Sequence, residues 1–273
     1  MSDAAQTKLG SVVSLWRYPV KSMMGEELNS SEITEHGLVG DRAYALIDNS
    51  DGKAATAKNP RKWPHLFDFR ATFTEPVVAK VPPVRITLPD GTTVTSEQTD
   101  LNRILSNALN REVTFCATPP GPLKGEQYNP DHEGRGDPAA INEFTLAEGT
   151  FFDGAMLHLV TTATFDRLRE LYPQGQFDPR RFRPNIVVQL ASDEKGFAEN
   201  AWVGHTLTIG SAVRLNITRP CGRCVMTTLP QGHLPRDPGI LRTVAQHNHG
   251  KVGVYAAIAQ GGIIRRGDAV RIE

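Results

Sequence analysis

The sequence predicts an α+β fold, mainly β, with a barrel-like sheet and a few short helices. Three observations carry this. Short runs of β-branched and apolar residues recur along the whole chain. Gly and Pro are abundant, 24 and 19 of 273 residues, and punctuate those runs. Helical periodicity appears only in brief stretches, so strands do not alternate with long helices as in a doubly wound sheet. Neither a G-x-G-x-x-G nor a G-x-x-x-x-G-K-[ST] pattern is present, which removes the usual glycine-loop routes to nucleotide binding.

The elements follow in order. Val12 to Tyr18 reads as a strand stopped at Pro19, and Ala43 to Ile47 as another, ended by Asp48-Asn49-Ser50-Asp51-Gly52. Val84 to Leu88 and Thr92 to Thr95 flank Pro89-Asp90-Gly91, a hairpin signature. Leu101, Ile104, Leu105, Ala108 and Leu109 share one helical face behind a Thr99 or Asp100 cap. Val113 to Cys116 is a further strand. From Thr118 to Asn142 prolines and glycines interrupt any regular element, which predicts a linker or lid. Beyond it, Leu157 to Thr161, Asn185 to Leu190, Val252 to Ile258 and Ala269 to Ile272 read as strands, and Leu207 to Ile209 with Val213 to Ile217 as a hairpin over Gly210-Ser211. Thr164 to Tyr172 is a helix halted by Pro173, and Asp237-Pro238 caps and starts another, with Gly250 just past its end. The expected organisation is a first unit over 1–117, a linker or lid over 118–142 and a second unit over 143–273.

Composition narrows the function. Lys+Arg and Asp+Glu are both 30, so the formal charge is zero and the basic excess of a nucleic-acid binder is missing. The longest nearly apolar run, Val252 to Ala259, is far short of the roughly 20 residues needed to span a membrane. The first ten residues are polar, without the apolar core of a leader. Three cysteines do not make a disulfide framework. A cytoplasmic protein with no nucleic-acid or membrane partner is the expectation.

Cys221-Gly222-Arg223-Cys224 is the most informative tetrapeptide, and it has several readings. A C-x-x-C can be a redox pair, but the following Val225-Met226-Thr227-Thr228 is β-prone, so the helix that would hold a thiolate is missing. It can be half a zinc site, but no second C-x-x-C or H-x₃₋₅-H supplies the other ligands. It can offer one thiolate to a soft metal, with Arg223 keeping it ionised. Or both cysteines are small buried hydrophobes. A second group is anion-binding in character: Lys21-Ser22 at a strand end, Arg42, the cluster Arg180, Arg181 and Arg183 before Asn185, and Thr161-Thr162 where a strand enters a helix. Each has an ordinary structural alternative, Arg42 pairing with Asp41 or Asp48, and Arg180 and Arg181 with Asp178. His158, inside a strand, reads as a core histidine. Asp131, His132 and Glu133 sit in the long loop, where they could act as a lid over a pocket.

Four segments occur in a telling order: Tyr18-Pro19-Val20-Lys21-Ser22, Gly40-Asp41-Arg42, Phe182-Arg183-Pro184-Asn185, and Pro220-Cys221-Gly222-Arg223-Cys224 running to Thr227-Thr228. Together they resemble the MOSC (molybdenum cofactor sulfurase C-terminal) family with its N-terminal β-barrel domain, in particular its members that reduce amidoximes and other N-hydroxylated compounds. The resemblance implies a MOSC-type β-barrel core plus an N-terminal β-barrel-like subdomain. It implies Cys224 as catalytic thiolate and molybdenum ligand, and Lys21, Ser22, Arg42, Thr161, Thr162, Arg181, Arg183, Asn185 and Arg223 as contacts of molybdenum cofactor, with Cys221 outside the ligand set. The implied activity is oxygen-atom removal from a small N-hydroxylated substrate. No Fe–S cysteine cluster is present, so no intrinsic cluster is expected and electrons would come from a separate ferredoxin- or cytochrome b5-like donor. The alternative is a cofactor carrier or sulfur-transfer protein with a persulfide on Cys224.

Overall fold

A computed structural model describes residues 7–77, 81–129 and 141–273. Its centre is a closed barrel of seven strands: β1 (Thr7–Arg17), β2 (Leu157–Thr161), β3 (Ile186–Leu190), β4 (Thr206–Ile209), β5 (Val213–Gly222), β6 (Lys251–Gln260) and β7 (Ala269–Ile272). The ring runs β1, β3, β2, β6, β5, β4, β7 and back to β1. Closure leaves no free edge among these strands. Inside, Val12 and Leu15 of β1 meet Ile186, Val188, Leu207, Leu215, Val254 and Val270, all buried.

Within this barrel the β2–β3 pair alone is parallel among the described strands. A parallel pair needs a crossover, and α2 (Thr162–Leu171) and α3 (Pro179–Phe182) lie within it, while α1 (Leu101–Leu109) belongs to the first half of the chain. The crossover also explains why β2 is buried at every position. Val160 and Val187 point out of the barrel onto Phe165 and Leu168 of α2 and onto Ile240 and Val244 of α4 (Pro238–Asn248). Strands covered on both faces lose the apolar–polar alternation. Among the described residues no helix is long and apolar enough to cross a membrane.

The first half builds a second core, with a sheet of Arg70–Phe73, Val84–Thr87 and Thr93–Thr95, and the pair Ala45–Asp48 with Val113–Cys116. Val225, Met226 and Leu229 from the far end of the chain insert into it. Strands from the two halves pair with one another: β1 pairs with β3 and β7, and Gly262–Arg265 pairs with Ser30–Thr34. The 118–142 segment is not irregular throughout, since Lys124–Tyr128 pairs with Ile141–Thr145. Asp131, His132 and Glu133 lie outside the described residues.

Candidate functional site

The seam between the barrel end and the first-half core holds a cavity of about 320 Å³. Three chain turns bring functional side chains to it. Beyond β1 the backbone of Lys21 bonds to Tyr44 and Ser22 turns left-handed at φ 62°, its Oγ accepting the Ala57 N–H at 3.1 Å. Arg42 is left-handed at φ 49°, and its N–H bonds to the Tyr18 carbonyl. Arg183 is the left-handed residue that ends α3, at φ 52°. Of the five described non-glycine residues with positive φ, three line this cavity. Each costs of order 1 kcal/mol or more, and such strain concentrates at functional sites.

Tyr18 and Asp41 lock these turns together. The Tyr18 ring carries the Arg183 guanidinium at 4.1 Å and that of Arg42 at 4.6 Å. The Asp41 carboxylate accepts from the Tyr18 N–H at 2.8 Å and from Asn185 Nδ2 at 2.9 Å, and pairs with Arg42. Asn185 Oδ1 in turn accepts the His158 N–H at 3.1 Å. Arg183 donates Nη1 to the Met23 carbonyl at 2.7 Å. Burial draws the Arg183 guanidinium down to about 10, with Arg42 adding to the effect.

The lining brings together Lys21, Ser22, Arg42, Arg183, Asn185, Arg223 and Cys224. Cys224 is half-buried there, at the end of the chain that leaves β5. Arg223 donates Nη2 to the Phe182 carbonyl at 2.7 Å and Nη1 to Cys221 Sγ at 2.6 Å, and its Nε is buried without a partner. Lys58, Asp153, His158 and Tyr255 also line the cavity and carry no local sequence signal. Asp153 pairs with both Lys21 and Lys58. Burial raises its carboxyl, but the two ammonium groups outweigh burial and hold it well below the usual carboxylate range. Lys21, enclosed and also bonded to the Phe151 carbonyl, is lowered by burial against the pull of Asp153.

Three expected site residues lie elsewhere. Arg181 is fully buried and spends its guanidinium on the carbonyls of Gln176, Thr227, Leu229 and Pro235. It anchors the segment after Cys224 and does not reach the cavity lining. Thr161 caps α2, and its hydroxyl bonds to Glu199 at 2.6 Å. The group that meets Thr161 at that helix start is the chain's own buried Glu199 carboxyl. Thr162 lines a separate surface cleft with Asp166 and Asp193. Arg180 pairs with Asp178, as expected of an ordinary ion pair.

Chemically, five cations, one carboxylate and one thiol face the same small volume. Such a volume suits a polyanion bearing a group that binds sulfur. Among the described residues no cluster of three His, Cys, Asp or Glu side chains could hold a metal ion alone. A metal at Cys224 would therefore have to arrive with ligands of its own.

This barrel, with a thiol and a ring of cations at its seam, defines a class. Residues 147–271 match the MOSC domain and residues 9–118 the MOSC N-terminal beta barrel domain, and the chain belongs to this MOSC family. Within it, the chain is similar to mitochondrial amidoxime reducing component 2 of Macaca fascicularis, 27% identical over 81% of this chain and 67% of that protein. It is also similar to mitochondrial amidoxime-reducing component 1 of Mus musculus, 24% identical over 96% of this chain and 82% of that one. Its fold is shared with the YUAD protein from Bacillus subtilis, at a TM-score of 0.50, 11% identity, and coverage of 98% and 97%.

Proposed function

We propose that this chain binds molybdenum cofactor in the seam cavity and reduces small N-hydroxylated compounds. The observation that carries the reading is the convergence of the Cys224 thiol with Lys21, Arg42, Lys58, Arg183 and Arg223, from segments far apart in sequence, on one cavity. The residues present fit the group: a soft thiol for the metal, an unsatisfied buried Arg223 Nε, and cations for an anionic phosphate tail.

In this reading Cys224 is the protein's metal ligand. Lys21, Ser22, Arg42, Arg183, Asn185 and Arg223 hold the pterin and its phosphate. When bound, the cofactor supplies two-electron removal of oxygen from an N–OH group. The chain's part is binding and electrostatics. Tyr18 and Asp41 hold Arg42 and Arg183 in place before any ligand arrives, so little ordering cost remains at binding. Phe152, Phe182 and Met226 give the cavity an apolar side that limits water. Overall, R–NHOH takes two electrons and two protons to give R–NH₂ and water. The electrons come from a separate ferredoxin- or cytochrome b5-like donor.

Protein made in a cofactor-competent host should carry about one molybdenum per chain, and Cys224→Ala should lose it. Normal molybdenum content in that variant would overturn the ligand assignment. The loaded protein should reduce an aromatic amidoxime with a chemical electron donor. A cyanide-labile sulfur on Cys224 without reduction would instead establish the sulfur carrier. Arg183→Ala should weaken cofactor retention at least tenfold, the loss of about 1.5–3 kcal/mol typical of a charged hydrogen bond.

A further inference from the structure

Cys221 does not line the cavity. Its side chain is fully buried near the end of β5, one layer behind the wall formed by Gly222, Arg223, His158 and Tyr255. Three polar side chains from different parts of the barrel close on its sulfur. Arg223 Nη1 is 2.6 Å away, and His158 of β2 and Tyr255 of β6 also hydrogen-bond it. The Gly222 carbonyl lies 3.8 Å off, a weak contact for a thiol proton.

These side chains are themselves held. His158 Nε2 faces the Val252 carbonyl at 3.1 Å, and its ring packs 5.8 Å from that of Tyr255. Gly253 makes this possible: at φ 76°, a Cβ there would sit 2.2 Å from His158 Nε2. Tyr255 is covered by the Arg219 guanidinium at 4.7 Å. Among the described residues Arg223 has no carboxylate partner, although a buried guanidinium requires a counter-charge. The Cys221 sulfur, hydrogen-bonded to Arg223, can supply that charge.

We propose that Cys221 is a resident thiolate, a positioning residue that ties Arg223, His158 and Tyr255 into one unit in the cavity wall beside Cys224. The assignment stands apart from the cofactor reading, since it uses contacts already made inside the chain. Burial alone would raise the thiol. Arg223, then His158 and the hydrogen bonds of His158 and Tyr255, outweigh burial and bring it down to about 6. Burial and the sulfur's charge together push the Tyr255 hydroxyl well up.

The test uses the apo protein carrying Cys116→Ser and Cys224→Ser, which keeps Cys221 as its sole thiol. Both replaced side chains are only half-buried, so the fold should survive. Ultraviolet thiolate absorbance is followed against pH, folded and in denaturant. Roughly 90% of the folded protein should be thiolate at pH 7, against about 3% for an ordinary thiol, a thirty-fold difference that denaturant abolishes. A folded protein that titrates in the ordinary thiol range overturns the proposal. In Cys221→Ser, Tyr255 should ionise at lower pH than in the parent, read as tyrosinate absorbance against Tyr255→Phe. An unmoved tyrosine would show that the sulfur carries no charge there.

Discussion

Asp153 sits between two lysines and decides how they face the cavity. Its oxygens take Lys21 and Lys58, so neither ammonium is free to swing into solvent. Because its folded carboxyl lies below the unfolded value, it binds fewer protons folded than unfolded on the acid side. Its stabilisation is present above the ordinary aspartate value near 3.8 and is lost as pH falls below it. Asp153→Asn should lower the melting temperature at neutral pH and flatten the acid limb of a pH–stability profile. A third of the Asp153 side chain stays open to the cavity, so the cost should be about 1–3 kcal/mol, below that of a fully buried pair. An unchanged acid limb would mean that the pair contributes nothing to folding. Neither Lys58 nor Asp153 was legible in the sequence, and the reason is physical. Lys21-Ser22, Asp41-Arg42 and Arg183-Asn185 each form a local turn whose composition can be recognised. Lys58 and Asp153 are single residues whose meaning arises only when the 58 and 153 loops meet.

At the scale of elements, the start of α2 shows why a correct local reading misled. Thr161-Thr162 does stand where a strand enters a helix, and Thr161 does cap it. The partner was invisible, because Glu199 comes from a later turn of 3-10 helix, Ala198–Trp202, and accepts from Thr161, Thr164 and the Gly253 N–H. Three of the four carbonyl partners of Arg181, those of Thr227, Leu229 and Pro235, are likewise distant in sequence. Most barrel strands were legible from their apolar runs, whereas short pairs such as Ser30–Thr34 with Gly262–Arg265 were not, for lack of a hydrophobic signal. Glu199 also gives a second pH effect of opposite sign. Burial raises its carboxyl against the pull of the threonine hydroxyls, so the folded state keeps the proton longer than the unfolded chain. That stability is complete below the ordinary glutamate value of 4.5 and declines as pH rises above it. Glu199→Gln keeps hydrogen-bonding capacity and removes the charge. Thermal melts from pH 5 to 8 should therefore fall less steeply for Glu199→Gln than for the parent. Parallel curves would rule out titration of Glu199 in that range.

The whole molecule is held by exchanges between its two halves. β1 closes the barrel by pairing with β3 on one side and β7 on the other, although it begins at Thr7 and they lie beyond residue 185. In return, Val225, Met226 and Leu229 complete the first-half core, and they follow Cys224 directly. The site therefore sits where each half borrows from the other, which fixes Cys224 from both sides. Removing β1 would expose the unpaired edges of β3 and β7 and strip Val12 and Leu15 from the barrel interior. Burying such side chains is worth about 1.5–3 kcal/mol each, a large share of a typical stability of roughly 5–15 kcal/mol. A fragment of residues 143–273 should accordingly lack cooperative thermal unfolding and a dispersed amide spectrum. Fusing residues 7–28 to that fragment through a flexible linker should restore part of both, because β1 and its neighbour Glu26–Leu28 then return to the sheet. A 143–273 fragment that melts cooperatively by itself would show that the barrel closes without β1.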